Sequence, residues 1–295
     1  MGSISDFSVS KPEESKTEWV EPKPDSVEAP SPATTDEPSI APAITQPVVD
    51  NTINEILAKI GDDITSGAKM KMLIYGEPGS MKSSFTATAA NNLVLDLEDG
   101  LISAKHSPHG VAHNVRPYPW QGFEDFAKLI GVLQNNPPEL DWIDVLSIDT
   151  FSDLHKRALA EVTEREWRKR PSSNRFVAET EHHVENNERM LRMIRALRDL
   201  NRDLLIVTHS KTVEPKGKPS KTYADFSESL SNRIMGMMDI VGYAEKKVID
   251  DEVSMVVKFT GDGSIHCKTR IPLPDEMINP TFSDIKKVWE ESKNK

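Results

Sequence analysis

The run from Met70 to Phe85, "MKMLIYGEPGSMKSSF", constrains this chain more than any other. A short apolar stretch of strand character ends at a glycine. A loop with proline and a second glycine follows, and a lysine and two serines open a segment, "MKSSFTATAANN", that reads as a helix. A loop between a strand and a helix can aim backbone N–H groups at a polyphosphate, with a lysine adding charge. The pattern that does so is G-x-x-x-x-G-K-[ST]. Gly76, Lys82 and Ser83 stand at the required spacing and Gly79 adds freedom, but Met81 replaces the last glycine. That change removes no N–H donor; if the backbone there is left-handed, it costs roughly 1–2 kcal/mol. The expected phosphate-contacting stretch is Gly76, Glu77, Pro78, Gly79, Ser80, Met81, Lys82, Ser83 and Ser84. A plain Gly/Pro turn is the competing reading of the loop taken alone.

The chain downstream alternates. "LVLDLEDG" reads as a strand ending in acids, "NVRPYPW" holds a short one, and "FEDFAKLIGVLQ" is an amphipathic helix stopped by "NNPPE". "WIDVLSIDT" is an apolar strand ending at an aspartate. A polar helical region spans about 154–201 with a break near "RKRPSSN", and "DLLIVTHS" is another buried strand. A lysine-bearing loop, "KTVEPKGKPSKTYAD", then leads to a helix over "FSESLSNRIMGMMDI". A hairpin over "IVGYAEKKVIDDEVSMVVKFTG" and a last strand over "SIHCKTRIPL" complete the pattern. Strands alternating with helices imply an α/β fold with a mainly parallel sheet, to which the hairpin adds antiparallel strands.

Residues 1–50 are different in kind. They hold eight of the twenty prolines, and ten Asp/Glu against three Lys give them −7 of the chain's −11. So little apolar surface cannot offset the entropy of ordering, so they read as a disordered acidic tail. Residues 51–295, opening on a helix with Ile53, Ile56, Leu57 and Ile60 on one face, are then the folded domain. An acidic total argues against broad coating of nucleic acid but leaves room for a local basic loop. The single cysteine, Cys267, fits a reducing compartment. No apolar run approaches the roughly 18 residues of a membrane helix, and "MGSISDFSVS" lacks the blocks of a signal peptide. The expectation is a soluble cytoplasmic protein without a membrane partner.

A Mg²⁺·ATP site needs a carboxylate on the metal side. Asp149 ends an apolar strand, where open α/β sheets place their ligand crevices. Ser83 is expected to ligate Mg²⁺, and Asp149 to hold it directly or through water. Hydrolysis also needs a group that handles water. Glu98 is the first choice, on condition that its strand lies beside the loop strand, with Asp96 second.

The order of the loop, "LDLEDGL", "LSIDT", "LIVTHS", the lysine loop and "HCKTRIPLP" resembles the RecA-type ATPase core. More narrowly, it resembles the phage RecA-like nucleotide-binding proteins, which include single-strand-annealing ATPases. The resemblance runs from about Met70 to Pro274. It implies ATP and Mg²⁺ as cofactors, Lys82 on the phosphates, Glu98 as catalytic glutamate and His209 as sensor of the γ-phosphate. It also implies that Lys268 and Arg270 reach into a neighbouring subunit's site within a ring or filament. Single-stranded DNA would bind at Lys211, Lys216, Lys218 and Lys221, with Tyr223 and Phe226 near enough to stack on bases. The basic run "REWRKRPSSNR" is a second candidate contact. The implied role is recombination, annealing or replication, in the bacterial host's cytoplasm if phage-encoded; the tail lies outside the resemblance and is a candidate docking segment for another replication or recombination protein. Two further readings fit the same motif: a non-hydrolysing, nucleotide-gated adaptor or loader, and a P-loop kinase of small molecules with "REWRKRPSSNR" as its lid.

Overall fold

Every residue of β1 (Lys71–Gly76) is buried, as a strand with neighbours on both sides and helices on both faces requires. The computed structural model describes residues 68–293 apart from 172, 173, 175, 215 and 218. The acidic tail and the helix expected over 53–60 lie outside them. The strands that follow are β2 (Asn92–Asp96), β3 (Val115–Tyr118), β4 (Val145–Asp149), β5 (Asp203–Val213) and β6 (Lys221–Ala224), then β7 (Ile240–Ile249), β8 (Glu252–Lys258), β9 (Lys268–Thr269) and β10 (Glu276–Ile278). They form one sheet in the order β10-β8-β7-β1-β5-β4-β2-β3, with β6 on β5 and β9 on β7. The run from β7 to β3 is parallel throughout. The strands after β7, and β6, add antiparallel pairs.

Alternation along β1 divides the core. Leu73 and Tyr75 face one cluster, which includes Phe126, Phe151, Met190 and Leu230. These come from α2 (Phe123–Gln134), α3 (Phe151–Lys169), α4 (Thr180–Arg198) and α5 (Glu228–Met237). Met72 and Ile74 face the other cluster, with Phe85 of α1 (Lys82–Thr86) and Phe282, Ile285 and Trp289 of α6 (Phe282–Ser292). A reciprocal capping box starts α6: Thr281 N–H donates to Asp284 Oδ2 at 2.8 Å, and Asp284 N–H to Thr281 Oγ1 at 3.2 Å.

Three elements depart from the sequence reading. The helix after the loop is five residues long, not twelve. Side chains at and beyond its last residue take its carbonyls: Thr86 Oγ1 donates to Lys82 O, Thr88 Oγ1 to Phe85 O and Asn92 Nδ2 to Thr86 O, the competition that makes such residues poor helix interiors. The lysine loop is a hairpin, because β5 runs on to Val213 and pairs with β6 from Ser210↔Ala224 to Val213↔Lys221. The last expected strand shrinks to Lys268–Thr269, and β10 and α6 follow it.

Tyr75 ties these late segments to the core. Its fully buried ring sits in β1, and its hydroxyl accepts from His266 N–H at 2.8 Å and lies 3.0 Å from His266 O and 3.3 Å from Thr222 O. Burial drives its pKa well above the usual phenol value. Tyr75→Phe leaves a backbone N–H without its acceptor, so it is expected to cost about 1–3 kcal/mol. Urea unfolding at neutral pH measures this; an unchanged midpoint would show that the hydroxyl is not the anchor.

Candidate active site

The parallel pairing ends at one level of the sheet, and the parallel-paired ends of four strands meet there. Gly76 is in register with His209, and Asp96 with Asp149. Gly76 is required where it stands: a Cβ would lie 2.1 Å from Ala244 O of the adjoining β7. After it the loop turns through Glu77–Ser80, whose ends are joined by Ser80 N–H to Glu77 O at 3.2 Å. Met81 then takes the left-handed conformation, φ 65° and ψ 21°. The position therefore does favour glycine, as the motif implies.

Lys82 folds back over its own loop. Its Nζ donates to Gly76 O (2.9 Å), Glu77 O (2.7 Å) and Ser80 Oγ (3.1 Å). Burial lowers its pKa to about 8, against the opposing pull of Asp149, Glu98 and Glu77. Asp149 is 1% exposed, and neither carboxylate oxygen has a hydrogen bond of ordinary geometry. Burial pushes its pKa up to about 7; the neighbouring Ser83 hydroxyl and Lys82 moderate the rise, while Asp96 and Glu98 add to it. Gly100 closes over this pair: a Cβ there would meet Ser83 Oγ at 2.5 Å and lie 3.7 Å from Asp149 Oδ2. A hydroxyl beside a buried carboxylate with open lone pairs is an oxygen donor set that suits a hard divalent cation.

Glu98 reaches this site by a route the sequence reading did not foresee. Its strand is not beside β1, since β4 and β5 lie between. It lies two residues past β2, and its Oε1 accepts from Thr150 Oγ1 at 2.6 Å and lies 3.0 Å from His209 Nε2. Thr150 in turn is 3.1 Å from Ser152 Oγ, which accepts from His209 N–H at 3.3 Å. Burial opposes the Glu98 charge, but the bonds from Thr150 and His209 outweigh it and hold the pKa below the usual carboxylate range. Asp96, the second choice, serves the backbone: its two oxygens accept from Gly100 N–H and Leu101 N–H. Thr150, Ser152 and Gly100 escaped the sequence reading. The signal for Thr150 was its place directly after the strand-ending aspartate.

The other candidates lie apart from this cluster. Lys268 Nζ caps the end of α5, donating to Gly236 O (2.8 Å) and Met238 O (2.7 Å). Arg270 pairs with Asp239 at 2.8 Å. Both stand at the starting end of the parallel strands, where β9 pairs with Ile240 and Val241. On the hairpin, Lys211 is half-buried, while Lys216 and Lys221 are exposed; Lys218 is outside the described residues. Phe226 is no stacking platform, because it is buried edge-on against Phe151 at 5.2 Å. Tyr223 packs on the same core. In the basic run, Arg168 pairs with Glu164, Lys169 with Glu166 and Arg165 with Glu185, so much of its charge is neutralised locally. No helix among the described residues is long and apolar enough to cross a membrane.

The model of the AAA domain family matches residues 68–271, more than half of the chain, and the chain belongs to that family. Its strand order and loop placement are those of a RecA-like P-loop core. Among solved structures it is similar to the flagellar accessory protein FlaH from Methanocaldococcus jannaschii, with 12% identity and a TM-score of 0.37 over 71% of this chain and 84% of that one. It is also similar to a KaiC-like protein from Pyrococcus horikoshii OT3, with 12% identity and a TM-score of 0.36 over 72% of this chain and 89% of that one. No curated protein matches the chain.

The raised pKa of Asp149 has a consequence for stability. A carboxyl whose native pKa lies above its unfolded value gives full stability below about pH 3.9 and loses it as pH rises. Here the loss runs up to a pH of about 7. Linkage sets its upper bound at about 4 kcal/mol, and an unsatisfied amide in its place returns part of that. Asp149→Asn, without nucleotide, is therefore expected to be more stable than the parent by about 1–3 kcal/mol at pH 8, with the gain fading toward pH 4. Unfolding curves across that range read it; a gain independent of pH would mean the carboxylate is not the cause.

Proposed function

We propose that this AAA-family chain is a Mg²⁺-dependent ATPase that acts on single-stranded DNA as a homo-oligomer, in the recombination, annealing or replication of a phage or related mobile element. The observation that carries the ATPase reading is the convergence of Glu98, Thr150, Ser152 and His209 on the end of β1 that bears Lys82 and Ser83. A bare turn has no use for such a network.

On this reading the loop N–H groups of Gly76–Ser84 bind the ATP phosphates. Lys82 exchanges carbonyl partners for phosphate oxygens, which suits a lysine already at hand in the loop. Ser83 and Asp149 would hold Mg²⁺, which supplies charge neutralisation on the phosphates. Glu98 stays ionised and accepts hydrogen bonds, so its part is to orient the attacking water more than to take its proton outright. His209 touches Glu98 on one side and begins the hairpin on the other, where Asp225 N–H donates to its carbonyl at 2.8 Å. The state of the phosphates thereby has a short route to Lys211, Lys216, Lys218 and Lys221, the proposed DNA contacts, whose charges would neutralise backbone phosphates. Lys268 and Arg270 face away from their own loop and are assigned to a neighbour's site, where a cation stabilises charge on the transferred phosphoryl group.

ATP hydrolysis with and without single-stranded DNA tests the reading, with Lys82→Ala as control. Stimulation by DNA that the substitution abolishes is the expected result. Binding without turnover would favour an adaptor, and turnover indifferent to DNA would favour a kinase. The neighbour assignment has its own check: Arg270→Ala should lower turnover of the assembled protein at least tenfold while leaving ATP affinity in place. Unchanged turnover would remove the arginine from the site.

A further inference from the structure

The two ends of the sheet carry complementary surfaces that the ATPase chemistry does not use. At the nucleotide end, β7 and β8 continue past the last pairing of β7 with β1 at Gly76↔Ala244. The five residues Glu245–Ile249 project roughly 16 Å beyond it at ~3.3 Å per residue. The tip is a two-residue turn in which Asp250 and Asp251 both have positive φ, 51° and 64°. Such a turn is most easily built from Asn-Gly. Here it carries two carboxylates, Glu252 follows, and Val248 and Val253 pair across the strands while 70% and 48% exposed. An acidic point with an apolar collar is thus held out into solvent at the cost of like-charge repulsion.

At the opposite end, before the starts of β1 and β7, lies a cavity of about 710 Å³. Its cationic wall is Lys69, Lys71, Arg198, Arg270 and Lys293, against one carboxylate, Asp239. That carboxylate is already engaged with Arg270 and with the Lys71 backbone N–H. Lys71 Nζ rests on the carbonyls of Leu200 and Arg202, and Asp203 and Asp239 nearby offset part of its charge. Arg198 and Lys293 also pair with Asp199 and Glu290 on the outer surface. Ile271, Pro272 and Trp289 give the cavity an apolar side.

We infer that the hairpin tip of one copy docks in the basic cavity of the next, head to tail. The occupant is a second copy of this chain because one chain carries both halves of the match, acid with apolar collar and base with apolar wall, at opposite ends of one rigid sheet. A contact of this heterologous kind propagates, closing into a ring or continuing as a filament. It turns the starting end of one sheet toward the nucleotide end of its neighbour, with the hairpin between them. The inference deepens the subunit arrangement proposed above and rests on it.

Light scattering on the full chain, with and without Mg²⁺·ATP, reads the assembly. The tip variant is Asp250→Lys with Asp251→Lys; the cavity variant is Lys69→Glu with Lys293→Glu, and melting curves verify that both fold. Each variant alone is expected to self-associate at least tenfold more weakly than the parent. Their mixture should regain assembly, because each then meets a matching partner. A monomeric parent under both conditions, variants that assemble like the parent, or a mixture that stays apart would each overturn the docking. Zero-length crosslinking of mixed light and heavy isotope protein identifies the occupant. Links between copies from Lys69 or Lys293 to Asp250, Asp251 or Glu252 support it. Links from those lysines to acids of residues 1–50 alone would give the cavity to the tail instead. Neither readout involves hydrolysis or DNA, so an inactive ATPase would leave this result standing, and a failed assembly would leave the phosphate loop standing.

Discussion

A buried carboxylate with no hydrogen-bond partner sets the terms for everything around it. Asp149 ends a strand buried along its length, and a group so placed resists ionisation. Lys82 nearby is pushed the opposite way by the same burial, so both lean toward neutrality while each favours the other's charge. Such a pair persists only if the backbone holds it. β4 is clamped between β2 and β5, and Leu97 N–H donates to the Asp149 carbonyl at 2.7 Å. The parallel sheet therefore does more than bury apolar area. It supplies the rigidity that keeps an expensive group in place, where a cation bound between phosphates and protein would make the charge favourable.

Three acids at the ends of β2 and β4 show how environment divides one residue class into different tasks. Asp96 spends both oxygens on backbone N–H groups and shapes the turn that carries Gly100 over Ser83. Glu98, two residues on, lies among hydroxyls and an imidazole that favour its ionised form. Asp149 has no backbone or imidazole donor and only the Ser83 hydroxyl beside it. The assignments follow from what each carboxylate touches. On the proposed reading they separate structure, water and metal among neighbours.

Much of this was legible from residues alone, and the failures have physical causes. β1 and β4 announce themselves as apolar runs meeting a glycine or an aspartate, and α2 (Phe123–Gln134) is legible because an amphipathic period meets asparagine and proline at its end. The short α1 was overread because threonine and asparagine hydroxyls and amides, which take the backbone carbonyls here, leave no mark on hydrophobic period. The lysine hairpin was missed for a related reason: an exposed ribbon needs no apolar alternation, and its pairing is visible only once Tyr75 and Ser264 hold its return strand. Phe226 looked available for a base, yet a single aromatic beside polar residues says nothing about direction, and it points into the core. The condition set for Glu98, a strand beside the loop strand, fails because strand order is a long-range property that local pattern does not carry. The contact of Glu98 with His209 reaches across the one strand, β4, that separates β2 from β5.

Met81 remains the departure from the phosphate-loop pattern, and its geometry explains how the loop accommodates it. The left-handed backbone costs roughly 1–2 kcal/mol in a residue with a side chain. The same side chain packs, partly buried, against the cluster formed by β1, α1 and α6. Apolar surface removed from water there offsets part of the strain. Nothing is lost from the anion site, because the backbone N–H is unchanged and the Met81 carbonyl still accepts from Phe85 N–H at 3.0 Å to start the helix. Glycine would relieve the strain and leave the turn held by its hydrogen bonds alone. Methionine instead fastens the loop to the core at the one residue that precedes Lys82, so the lysine is carried on a turn that packing, and not flexibility, holds in shape.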